Sequence, residues 1–110
     1  MIERRNIMAV IEVTQDTFEE EVLNADMPVL ADFNADWCGP CQALKPMLAE
    51  FAEAHPEIKV VSINIDDEED LRDDYDIGSI PCLVVFKNGE EANRKVGLIS
   101  QDAIAELAEV

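Results

Sequence analysis

The sequence predicts an α/β fold in a single domain, a central mixed five-stranded sheet flanked by four helices in the order βαβαβαββα. Three observations predict it. Short β-branched apolar runs alternate with segments of helical period, a pattern that lays helices on both faces of a largely parallel sheet. The pair Asn88-Gly89 between the last two apolar runs signals a tight hairpin, which makes the sheet mixed. A length of 110 residues is the common size for one domain, and a chain of this size buries about 65% of the surface its unfolded form exposes.

Each element has a local cause. Residues Met1 to Ile7 read as a disordered N-terminal extension to a domain spanning 8–110, and Met8 to Val13 is β-branched and apolar, the first strand. Asp16-Thr17-Phe18-Glu19 is a capping-box pattern that opens a helix through about Leu23. Pro28 to Phe33 is nearly continuous in apolar residues, as a strand covered on both faces requires. After Pro40, Leu44, Leu48, Phe51 and Ala52 fall on one helical face. Ile58 to Ile65 is a third strand, Glu68 to Tyr75 a short acidic helix, and Cys82 to Phe86 a fourth strand. Glu91 to Val96 completes the sheet, Gly97 breaks the pattern, and Ser100 caps a closing helix that carries Ile104 and Leu107.

Composition narrows the function. Apolar residues make up 48% and charged residues 30% of the chain, the balance of a soluble globular protein. A net charge of −17, from 25 acidic against 8 basic residues, excludes nucleic acid and anionic membranes as natural partners and favours cationic patches on proteins. Most of that charge reads as a solvated surface. Glu12 interrupts the early apolar run too soon for a signal peptide, and no run approaches the ~20 apolar residues of a membrane span. Three cysteines make no complete disulfide framework, so the composition points to a reducing compartment, the cytoplasm.

The chemistry concentrates in Trp37-Cys38-Gly39-Pro40-Cys41. Pro40 suits the first helical position, where its missing N–H has no partner to lose. Cys38 then faces a helix N-terminus, whose free N–H groups and dipole favour a thiolate and lower the thiol pKa from about 8.5. Cys41, one turn further on beside Leu44 and Leu48, can reach Cys38 while staying shielded, so one sulfur is exposed and reactive and the other buried. Gly39 lets the backbone turn without a side-chain clash, and Pro40 restricts the reduced loop. A metal site would need Cys38, Cys41, Cys82 and His55, but a second closely spaced ligand pair is missing and His55 reads as a residue at a helix end. A four-residue disulfide loop constrains the unfolded chain very little, which disfavours a structural staple. Redox turnover is the strongest reading. Cys82, opening an apolar strand, reads as a buried small hydrophobe.

These residues resemble the thioredoxin family. The five-residue motif is accompanied in order by Asp32-Phe33, Pro46, Asn64-Ile65-Asp66, Ile80-Pro81, Phe86 to Glu90 and Val96-Gly97, so the resemblance covers nearly the whole chain. It implies the thioredoxin fold and a protein-disulfide reductase in which Cys38 attacks a substrate disulfide and Cys41 resolves the mixed disulfide. It also implies a cis bond at Ile80-Pro81, and an apolar docking surface of Trp37, Gly39, Pro40, Ile80, Pro81, Val96 and Gly97. From the residues alone each of these reads as loop or strand-end packing. The resemblance further implies a cytoplasmic monomer with no bound cofactor or metal, serving electron transport and redox homeostasis. Its partners would be disulfide-containing proteins and a separate flavoprotein, thioredoxin reductase, which supplies electrons. The alternative is an interaction module of the same fold with incidental cysteines.

Three positions depart from the family pattern: Asn34 stands for an aromatic, Ser62 for a frequent lysine and Cys82 for a usual threonine. They bear on Asp32, a carboxylate in an apolar run where burial is expected. The resemblance makes Asp32 the proton acceptor of Cys41. With no lysine at 62 and only a neutral donor at 34, desolvation should raise its pKa above the usual ~3.9.

Overall fold

The computed structural model describes residues 9–110; the expected extension, and Met8 of the expected first strand, lie outside them. Five strands, β1 (Val10–Glu12), β2 (Val29–Asn34), β3 (Lys59–Asn64), β4 (Cys82–Lys87) and β5 (Glu90–Val96), form one sheet in the order β1-β3-β2-β4-β5. β1 and β2 run parallel to β3, whereas β4 is antiparallel to both β2 and β5, so the sheet is mixed as the hairpin signal predicts. Four helices, α1 (Gln15–Phe18), α2 (Gly39–Ala54), α3 (Glu69–Asp74) and α4 (Gln101–Ala108), complete the fold.

The period-two alternation of β2 divides the core. Val29, Ala31 and Phe33 pack with Phe18 and Val22 and with Leu71 of α3, while Leu30 packs with Leu44, Leu48 and Phe51 of α2 and with Ile104 and Leu107 of α4. By the same alternation Asp32 falls on the α2 and α4 side, opposite Ser62 of β3 and Leu83 of β4.

Element ends show where local signals hold. The turn residues Asn88 and Gly89 have φ of 54° and 81°, the paired positive values of a two-residue hairpin, and a Cβ on Gly89 would lie 3.0 Å from the Leu23 carbonyl oxygen. Ser100 Oγ accepts from the Ala103 N–H at 3.1 Å, capping α4. The first helix differs from expectation. It begins at Gln15 because Thr14, not Asp16, is the N-cap: the Thr14 N–H donates to Thr17 Oγ1 at 3.0 Å, a hydroxyl serving where a carboxylate was expected. Past Phe18 it widens into a π-helical turn over Glu19–Leu23, closed by the Asn24 N–H on the Glu19 carbonyl at 2.9 Å.

Candidate active site

The site lies where β2 hands over to α2. Cys38 is the N-cap of α2, and its Sγ accepts a hydrogen bond from the Cys41 N–H at 3.2 Å. The sulfur therefore sits at the N-terminus of a helix and takes one of its free donors, the geometry that stabilises an anion there. Cys38 and Cys41 are joined in a disulfide, with Cα atoms 5.2 Å apart.

Three local expectations need correction. Cys38 is only 5% exposed and Cys41 0%; bonded to a buried partner, the first sulfur is drawn into the apolar cluster, although it remains the less covered of the two. Gly39 takes the first helical position and Pro40 the second, one residue later than expected. Gly39 is also not required by the backbone, since its φ is not positive and an added Cβ would meet nothing within 4 Å. What Gly39 and Pro40 provide is exposed surface beside Cys38.

Trp37 is 71% exposed, and its indole Nε1–H donates to Asp66 Oδ2 at 2.9 Å. Asp66 is held in turn, its N–H donating to Asn64 Oδ1 at 2.9 Å. Asp66 was not singled out from sequence, although Asn64-Ile65-Asp66 ending a strand marked the place. The Ile80-Pro81 peptide is cis. Pro81 is buried and Ile80 half-buried, with Ile80 packed against the cluster that contains Cys38, Cys41 and Cys82. The Pro81 carbonyl accepts from the Gly97 N–H at 2.8 Å and Cys82 pairs with Val96, which brings the cis-proline loop and Val96-Gly97 together. Gly97 has φ 106°, a conformation that favours glycine.

Asp32 is buried, 1% exposed. The Asn34 side-chain amide donates to the Asp32 carbonyl and to Ser62 Oγ, both at 2.9 Å, and reaches Asp32 Oδ2 only at 3.4 Å. An amide has two hydrogens, so the carboxylate receives the weakest of the three contacts. Its Oδ1 has no hydrogen-bond partner among the described residues. Desolvation accordingly raises the pKa of Asp32 from 3.8 to about 7, opposed by the charge of Lys45 and the Asn34 contact and reinforced by Glu12. Lys45 is the residue that sequence reasoning missed; its position four after Cys41, one turn along α2, was the available signal.

Cys82 is a free, buried thiol whose pKa is pushed up by desolvation, against the nearby Arg94 charge. It stays protonated at neutral pH, so a Cys82→Thr variant should keep most of its disulfide-exchange activity. Loss of turnover with the circular dichroism and melting point unchanged would place this thiol in the reaction. His55 caps the far end of α2, its ring 4.6 Å from that of Phe51. Seventeen residues of helical rise separate it from Cys38, about 25 Å, so the two cannot share an ion. Among the described residues no group of three or more His, Cys, Asp or Glu side chains is placed to hold a metal.

Residues 9–109 match the family model described as Thioredoxin. The chain is 44% identical over 95 residues to the thioredoxin of Rickettsia bellii, covering 86% of this chain and 90% of that protein. It is 43% identical over 99 residues to the thioredoxin of Pyropia yezoensis, covering 89% and 92%, and 40% identical over 102 residues to thioredoxin 1 of a Nostoc species, covering 92% and 95%.

Proposed function

The chain belongs to the thioredoxin family and is a protein thiol–disulfide oxidoreductase, and we propose that it works as a reductase through Cys38 as nucleophile, Cys41 as resolving thiol and Asp32 as proton acceptor. The carrying observation is the Cys38 sulfur on the Cys41 N–H in the first turn of α2, beside a fully buried Cys41 side chain.

The Cys38 thiolate attacks one sulfur of a target disulfide; a Cys38–target bond forms and the other target sulfur leaves as a thiolate that takes up a proton. Cys41 then gives its proton to Asp32, and its thiolate attacks Cys38 Sγ. The Cys38–Cys41 bond forms as the mixed disulfide breaks, releasing the second target thiolate. Two electrons pass to the target, and the chain is left in the oxidised form described above. Trp37, Gly39, Pro40, Ile80, Val96 and Gly97 offer the target an apolar surface, supported by the exposure of Trp37 and Val96; Pro81, expected on that surface, is buried behind it, and its carbonyl ties the cis-proline loop to Gly97. An extended target backbone pairs beside Ile80.

Members of the family carry no bound cofactor, and electrons come back from a separate flavoprotein, thioredoxin reductase. The setting is the cytoplasm, where thiols are kept reduced, with roles in electron transport and redox homeostasis and with a monomer as the working unit. No helix of the described residues is long and apolar enough to cross a membrane. The test is insulin reduction with dithiothreitol. Catalysed precipitation of the B chain is expected; a rate equal to dithiothreitol alone would instead indicate an interaction module with incidental cysteines.

A further inference from the structure

A pocket of about 180 Å³ opens between β1, β3 and α2 and reaches Asp32. Its polar lining is Glu12 from β1, Asp32 from β2, Ser62 from β3 and Lys45 from α2. That volume admits several waters, each taking roughly 30 Å³ in the liquid, and the lining supplies them with partners. The buried carboxylate is therefore not sealed in the core, and solvent can approach it from the face of the sheet covered by α2. Two of the lining groups are an ammonium and a carboxylate. Lys45 and Glu12 are both exposed, and among the described residues neither is drawn into an ion pair.

We propose that Lys45 and Glu12, lining this pocket from α2 and from β1, are an opposed pair of positioning residues that govern how readily Asp32 takes the proton of Cys41. The inference rests on Asp32 being that acceptor. An ammonium beside the pocket favours the carboxylate and a second carboxylate disfavours it, so the two side chains pull the same equilibrium in opposite directions. Their effects on Asp32 have those signs, Lys45 lowering its pKa and Glu12 raising it. The other groups around Asp32 add no charge of their own in the neutral range. Asn34 on β2, Ser62 on β3 and Leu83 on β4 are uncharged, Cys41 on α2 is bound in the disulfide, and the Cys82 thiol on β4 is pushed toward higher pH. Lys45 also lies one turn from Cys41 on α2, so one helix carries both the proton donor and the cation that keeps its acceptor ionised.

The decisive measurement is the titration of the Asp32 carboxyl carbon by NMR in the disulfide-bonded protein, where no exchange chemistry takes place. Lys45→Met should move the midpoint upward and Glu12→Gln downward, each by a few tenths of a pH unit, because both charges are exposed and partly screened. Lys45→Arg should restore the parental midpoint. Raising sodium chloride from about 0.01 M to about 1 M should shrink both displacements, which a packing defect would not do. The pH profile of mixed-disulfide resolution should follow the same order of midpoints. Displacements of equal sign, or none, overturn the pair. Asp32→Asn tests the underlying reading separately. If the pH profile of resolution is unchanged in that variant, Asp32 is not the acceptor, whatever the NMR midpoints do.

Discussion

Cys38→Ser should abolish catalysed insulin reduction, whereas Cys41→Ser should stop the reaction halfway and leave a target covalently attached to Cys38. The two outcomes differ because the two sulfurs stand at different places in the fold. Cys38 ends the turn from β2, caps α2 and accepts the Cys41 N–H, so it is the sulfur whose anion is stabilised and whose departure from a mixed disulfide is easiest. A serine oxygen can form no bond of this kind with sulfur, and Cys41, with 0% exposure, cannot take over the attack on an external disulfide. In the Cys41→Ser protein the first exchange proceeds, but no thiol remains one turn away to expel the target. Intact-mass spectrometry after incubation with an oxidised target should show one adduct per chain, removable by dithiothreitol. The same asymmetry orders alkylation. Brief iodoacetamide treatment of the reduced protein should label Cys38 well before Cys41, despite the slight exposure of Cys38 in the oxidised form. Equal or reversed labelling, or turnover in Cys38→Ser, would contradict the assignment of roles.

The parts of this molecule readable from sequence are those with local causes. The hairpin at Asn88-Gly89 is written in two residues that accept positive φ, and the α4 cap in one serine whose hydroxyl serves the N–H three residues on. The apolar run of β2 announced a strand covered on both faces, and Asp32 within it announced a buried carboxylate. The misreadings came where distance in the chain and distance in space part company. Cys38 was expected to be exposed, but its covering comes from Cys41 and the packed cluster, not from its sequence neighbours. Thr14 displaced Asp16 as the helix cap because a hydroxyl three residues on satisfied the same backbone donor. Lys45 could be placed near Cys41 from its position on α2, but its nearness to Asp32 depends on a pocket assembled from β1, β2, β3 and α2. Asp66 likewise acquires meaning only when Trp37, twenty-nine positions earlier, turns its indole toward it.

Asp32→Ala should slow disulfide reduction at neutral pH and at the same time raise the stability of the fold. The kinetic effect follows from removing the proton acceptor of Cys41: resolution must then await solvent base, and mixed disulfide should accumulate during turnover. The stability effect follows from linkage. The folded carboxyl titrates at about 7 against 3.8 ordinarily, a difference of roughly 3 pH units. A pKa raised by folding means that the native state binds the proton more tightly. The group therefore favours the fold most below its unfolded pKa, and that contribution is lost as pH rises from about 4 through about 7. At about 1.4 kcal/mol per pH unit, keeping the buried carboxylate at neutral pH costs on the order of 4 kcal/mol relative to pH 4. Alanine removes this cost and leaves a small cavity, whose penalty on the order of 1 kcal/mol offsets part of the gain. The pocket reduces it further by keeping the carboxylate partly solvated. Urea titrations of parent and variant should therefore differ by about 2–3 kcal/mol in favour of Asp32→Ala at pH 7, and by nearly nothing near pH 4. Asp32→Asn separates charge from volume: without the cavity it should keep most of the pH 7 gain, although its amide introduces donors that the site must satisfy. A parent more stable than both variants at pH 7 would show that the carboxylate is better solvated, or better paired with Lys45, than its burial implies.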